Sequence, residues 1–173
     1  MIGEVVVQRS ARGLLVQEGK LVLIKRTRPG RSPYFVAPGG KVEDSDPSVA
    51  AALRREVREE LGGTIGIPTQ VLLITDVLGI GSEGVRRLGV QHFFAAALLG
   101  YDLSARAGRE FTRPHPPPPR TNEKVHQHQD PDELAAVDLK PPRLAGYLAA
   151  NLTAVTAEAT RAGSARHDER MLR

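Results

Sequence analysis

Two apolar runs near the N-terminus, Leu14-Leu15-Val16 and Leu21-Val22-Leu23-Ile24, are rich in β-favouring residues and joined by Gln17-Glu18-Gly19-Lys20. They predict a hairpin within residues 11–28. A basic loop marked by Gly and Pro follows, holding Lys25, Arg26, Arg28, Pro29, Gly30, Arg31 and Pro33. Tyr34-Phe35-Val36-Ala37 then reads as a short strand that ends at Pro38-Gly39-Gly40. Residues 47–61 form the clearest helix. Asp46 suits the N-cap, Pro47 the first helical position, and Gly62-Gly63 the stop, while Leu53, Val57 and Leu61 recur every fourth residue. Val71 to Ile74 and Val90 to Leu99 read as strands separated by a Gly-rich turn at 79–84. Pro141 and Pro142 open a second helix carrying Leu144, Tyr147, Leu148 and Leu152 on one face.

Residues 105–131 break the pattern. They hold six prolines, five of them within 114–119, and three of the five histidines, with little apolar besides Phe111 and Val125, which predicts a solvated, partly polyproline-like loop. From Ala154 the chain is Ala, Thr, Arg and Ser, and a weakly ordered basic tail, frayed or loosely helical, is expected over 154–173. One domain over 1–153 accounts for the remainder, since 173 residues suffice for a single core.

Composition narrows the chemistry. Seven aromatic residues (Phe 4, Tyr 3, Trp 0) imply an aliphatic core. The absence of cysteine excludes a disulfide scaffold, a thiolate metal site and a Cys nucleophile. No run approaches the ~20 apolar residues of a membrane span, and Glu4 interrupts any export signal, so a cytoplasmic protein with no membrane partner is expected. The net charge of +4 arises from 24 basic and 20 acidic residues, too slight an excess to make nucleic acid the expected partner.

The informative stretch is Gly39-Gly40-Lys41-Val42-Glu43, followed by Arg55-Glu56-Val57-Arg58-Glu59-Glu60-Leu61-Gly62. At 100° per residue, Glu56, Glu59 and Glu60 share an arc of roughly 100°. Leu53, Val57 and Leu61 lie about 110° away, so one side packs while the other presents three acids together. Clustered carboxylates repel one another unless a cation intervenes, and hard divalent ions with oxygen ligands fit that need. Arg55, four residues before Glu59, can orient or partly neutralise it. A glycine pair lets a backbone carbonyl approach the same ion. The alternative reading is a solvated Arg/Glu face laced with local ion pairs.

The combination resembles the Nudix hydrolase signature: Gly, five residues, Glu, seven residues, then Arg-Glu-apolar-any-Glu-Glu-any-Gly-apolar. Gly40 opens it, and Arg55, Glu56, Val57, Glu59, Glu60 and Gly62 match its second half. There are departures. Fourteen residues separate Gly40 from Arg55, one more than the family spacing, Asp46 stands at the distance of the isolated Glu, and Gly63 takes the last apolar position.

The resemblance implies an α/β fold, an α/β/α sandwich on a mixed β-sheet. It implies a Mg2+-dependent hydrolase, with Mn2+ a possible substitute, cleaving a pyrophosphate bond in a nucleoside diphosphate linked to another moiety. Gly40, Glu56, Glu59 and Glu60 are the implied metal ligands, and Glu59, Arg55 and Glu56 the implied catalytic groups, with Glu59 either ligating a second ion or acting as base. Arg26, Arg28 and Gly39 are candidates for substrate contact. Glu110, Glu123 or Glu133 could supply the further glutamate that many members carry late in the domain. The partner expected is a small nucleotide-type substrate, with homodimerisation possible. The alternatives are a nucleotide-binding module of the same fold without turnover and an RNA-directed, decapping-like hydrolase.

Overall fold

The computed structural model describes residues 4–81, 84–107, 122–128 and 131–171. Nine strands, three α-helices and one 3-10 turn (Leu103–Ala105) are described: β1 Val5–Gln17, β2 Lys20–Thr27, β3 Tyr34–Val36, β4 Gly39–Lys41, α1 Val49–Leu61, β5 Thr64–Ile65, β6 Thr69–Ile80, β7 Arg86–Gly100, β8 Asn122–His128, α2 Pro131–Ala135, β9 Leu139–Lys140 and α3 Pro142–Met171. The strands form one mixed sheet. Its path runs β5-β7-β1-β2-β3-β9, with β4 pairing β1, β6 pairing β7 and β8 pairing β2. The parallel pairs are β1 with β7 and β3 with β9.

The doubly apolar runs have a direct cause. Side chains alternate across a strand, so a sheet covered on both faces needs apolar residues at successive positions. Leu14, Val16, Leu21, Leu23, Phe93 and Ala95 pack on one face with Leu144, Leu148 and Leu152 of α3. Leu15, Val22, Ile24, Phe94 and Ala96 pack on the other with Leu53, Val57 and Leu61 of α1. The layers are therefore helix, sheet, helix, as the sequence implied. Among the described residues no helix is long and apolar enough to cross a membrane.

The expected hairpin is present, closed by Glu18 and Gly19, both at positive φ. It is part of a longer element, because β1 begins at Val5 and pairs with β7 from there to Val16. The expected 79–84 turn begins inside β6, which runs to Ile80, while β7 starts at Arg86; residues 82–83 lie outside the described residues.

Three expectations are corrected. Helix α1 starts later than residue 47, with Ser48 as N-cap accepting from the Ala51 N–H at 3.0 Å. Asp46 is engaged elsewhere. The segment expected to be loop over 105–131 contains β8, whose backbone pairs with β2 along seven positions; residues 108–121, and with them Glu110, lie outside the described residues. Finally, α3 continues through residue 153 without a break, and Val155 and Ala159 are buried in the core beneath it. They extend the stripe of Leu144, Leu148 and Leu152 by steps of three and four, which a helix repeats on one face.

Candidate active site

Helix α1 is clamped at both ends. Gly62 takes the left-handed conformation, donating to the Arg58 carbonyl, and Gly63 donates to that of Val57. A side chain at Gly62 would overlap the Asp102 carbonyl. With the Leu53–Val57–Leu61 stripe buried against the sheet, the acids on the neighbouring arc meet the Gly39–Gly40 segment.

The three carboxylates are not equally exposed. Side-chain exposure is 36% for Glu59, 14% for Glu56 and 7% for Glu60. Glu60 is the deepest of the three: its Oε2 accepts the Gly39 N–H at 2.8 Å and its Oε1 lies 3.5 Å from Arg26 Nη2. Glu56 packs against the loop so closely that a side chain at Gly40 would overlap its carboxylate. Burial raises the pKa of Glu56, hydrogen bonding and charge from Arg55 oppose that, and the charge of Glu59 adds to it.

Arg55 organises the acids. Its Nε and Nη2 meet Asp46 Oδ1 and Oδ2 at 3.0 and 2.9 Å. Nη1 reaches Glu56 Oε1 at 2.9 Å and Glu59 Oε2 at 3.3 Å, and Nη2 also donates to the Lys41 carbonyl at 2.9 Å. The five N–H groups of a guanidinium thus have five acceptors. The Asp46 hydrogen bonds hold the Arg55 proton well above its usual affinity, and the same pairing keeps the Asp46 carboxyl below the ordinary carboxylate value.

A residue that sequence reasoning missed lies beneath the loop. Arg12 of β1 donates from Nη1 to the Gly39 carbonyl at 2.5 Å. Burial lowers the affinity of its guanidinium for the proton, while the charges of Glu60 and Glu56 oppose that and Arg26 reinforces it. The available signal was a charged residue directly before Gly13-Leu14-Leu15-Val16, on a strand that had to be buried.

Gly39, Gly40, Arg26, Arg55, Glu56, Glu59 and Glu60 are therefore brought together. Arg28 is not; its guanidinium stacks over the Tyr34 ring at 5.8 Å. Glu123 lies on β8 in register with Arg26, and Glu133 is exposed on α2. His92 belongs to a separate group, accepting from Arg9 Nε at 3.3 Å and meeting Gln70 Oε1 at 3.0 Å. Burial and the Arg9 charge lower its pKa. Among the described residues no group of three or more acidic or histidine side chains is arranged as it stands to enclose a metal ion. The Arg55 guanidinium bridges Glu56 and Glu59 instead.

Comparison with known proteins identifies the family and the fold. The NUDIX domain family model matches residues 7–158. The fold is similar to that of the E. coli ORF135 protein, at 20% identity over 88% of this chain and 92% of that one, TM-score 0.55. It is also similar to a NUDIX hydrolase from Nitrosomonas europaea, at 19% identity over 91% and 90%, TM-score 0.52. A third is the MutT protein from Bacillus halodurans, at 21% identity over 78% and 75%, TM-score 0.51. At such identities the likeness bears on fold alone. No curated protein matches the sequence. The family model covers most of the chain, and the acidic helix faces a Gly-Gly loop beside the sheet: the protein belongs to the Nudix family and is a pyrophosphohydrolase of that type.

Proposed function

We propose that this hydrolase uses a divalent cation, Mg2+ or Mn2+, to cleave a pyrophosphate bond in a nucleoside diphosphate linked to another moiety. The observation that carries the reading is Glu56: a carboxylate largely withdrawn from water, pressed on the Gly40 backbone, with two more acids on the same arc. The donor set is all oxygen, which suits a hard cation. Glu56 and Glu60 would hold it with the Gly40 carbonyl, leaving Glu59 beside it. Glu60 already accepts the Gly39 N–H and lies beside Arg26, and a carboxylate offers about four lone-pair sites in all. When bound, such an ion neutralises phosphate oxygens and acidifies water.

The chain's own residues supply the remainder. Arg26 reaches the site from β2, its Nη2 3.5 Å from Glu60, and would meet the phosphates of a bound substrate. Glu59 is the most exposed of the three acids and is held by a single 3.3 Å contact to Arg55, so its carboxylate takes the proton from the attacking water. Arg55 spends all its donors within the protein and acts as a positioning residue. A panel of nucleoside triphosphates, nucleotide sugars and dinucleotides tests the reading, scored by phosphate released by added phosphatase, with and without Mg2+. Turnover confined to the Mg2+ arm supports it; no turnover on any member, or turnover indifferent to metal, rejects it.

A further inference from the structure

We infer that Arg12 is a positioning residue that sets the Gly39–Gly40 backbone against helix α1. Gly39 opens β4, whose backbone pairs with β1 opposite Arg12, and its peptide is fixed at three further points. Its carbonyl accepts from Arg12, its N–H donates to Glu60, and its α-carbon sits at φ +133° against the Ala11 carbonyl, where a side chain would overlap. Only the first is a side chain of the sheet reaching toward the loop. Arg12 therefore couples β1 to the register between Gly40 and the acids of α1.

Arg12 is partly buried, and withdrawing even part of a guanidinium from water is unfavourable unless its surroundings answer the charge. Here they do, through the Gly39 carbonyl and the nearby charges of Glu60 and Glu56. An aliphatic residue would serve β1 packing without that penalty, so the arginine belongs to the loop. The loop has particular need of such a tether. Fourteen residues separate Gly40 from Arg55, and slack in that stretch moves Gly40 relative to Glu56 unless the strand side is held. Asp46, through Arg55, anchors the far end; Arg12 anchors the near one. Removing Arg12 frees the Gly39 carbonyl to turn, which loosens the Glu60 contact and displaces the Gly40 carbonyl.

The inference rests on the proposed cation site, and the test separates the two. The full chain, as wild type, Arg12→Met and Arg12→Lys, is titrated with Mn2+ alone, following free Mn2+ by its EPR signal. Amide exchange at Gly39, the melting temperature and kinetics at low and saturating Mn2+ are measured beside it. Loss of a group that orients a metal ligand costs about 10–100-fold in affinity. Arg12→Met is expected to weaken Mn2+ binding by about tenfold or more and to speed exchange at Gly39. Arg12→Lys, a hydrated point charge without the planar fork, is expected to weaken it by about threefold or more at a nearly unchanged melting temperature. In both, kcat recovers at saturating Mn2+. Should Arg12→Met fail to fold, the lysine variant decides. Wild-type Mn2+ affinity and Gly39 exchange in the folded variants overturn the inference. Absence of Mn2+ binding in the wild type rejects the proposed cation site itself, and the inference with it.

Discussion

Asp46 and Arg55 meet in a two-pronged ion pair, with contacts of 3.0 and 2.9 Å between parallel donors and acceptors. The pair spans the loop with the additional residue and fixes the guanidinium that holds Glu56 and Glu59. Asp46 also accepts the Glu43 N–H at 2.8 Å, tying the loop to itself. Asp46→Asn keeps the shape but removes the charge, and turnover is expected to fall by about tenfold as Arg55 loses its anchor. The pairing lowers the Asp46 pKa in the folded state, so its contribution to stability is present above the ordinary value of about 3.9 and is lost as pH falls through the lowered one. The melting temperatures of wild type and Asp46→Asn should therefore differ near neutrality and converge on acidification.

Gly39 and Gly40 should answer differently to alanine. At Gly39 the added carbon meets the backbone of β1 at φ +133°, neither of which can yield cheaply. Gly39→Ala is expected to destabilise the protein by about 2 kcal/mol or more and to abolish activity. At Gly40 it meets the flexible end of Glu56, which can swing aside. Gly40→Ala should melt close to wild type yet bind Mn2+ much more weakly. Thermal melts with Mn2+ titrations check both, and equal melting temperatures for the two variants would contradict the distinction.

Cation affinity should depend on pH through Glu56. Burial raises its pKa, so a proton competes with the cation at a pH above that at which an ordinary glutamate, near 4.3, is ionised. Mn2+ affinity is expected to fall as pH is lowered from about 7.5 to about 5, the loss beginning above the usual carboxylate range. An affinity constant across that interval would show that the acids do not hold the ion.

The C-terminal helix carries the fourth expectation. Val155 is 1% exposed and Ala159 fully buried, both in the cluster with Leu144, Leu148 and Leu152. A chain ending at residue 153 loses those contacts and the last turns of α3. It should melt several degrees lower, since about 1 kcal/mol shifts the melting point of a domain this size by a few degrees. An unchanged melting temperature would mean that these turns add nothing to the core.

Much of this was legible in the sequence where one pattern had one cause. The Leu53–Val57–Leu61 stripe, the Gly62 stop and the doubly apolar strands each follow from burial against a sheet covered on both sides. Elements held chiefly by pairing were not legible. In β8 the only strongly apolar residue is Val125, and its strand exists because β2 offers a free edge along seven positions. The first half of β1 reads as a valine run without a partner until β7 is placed beside it. The extension of α3 was hidden because its buried positions beyond Leu152 are a valine and an alanine. At the site, helical spacing put three acids on one arc, yet spacing carries no depth: it could not distinguish Glu60, under the loop, from Glu59, at the surface. Arg12 was invisible for the same reason, its significance arising from the cross-strand register with Gly39.

The most direct test of cation-dependent catalysis is the Glu56→Gln protein, assayed for turnover at saturating Mg2+ and for melting temperature in the same preparation. Burial disfavours the charged form of Glu56, so the neutral amide removes a desolvated charge while still accepting from Arg55. Stability should be equal to or above that of wild type, while kcat falls by about a hundredfold or more as a ligand of the cation is lost. A folded Glu56→Gln protein retaining more than about a third of wild-type turnover would contradict a catalytic cation held by this helix.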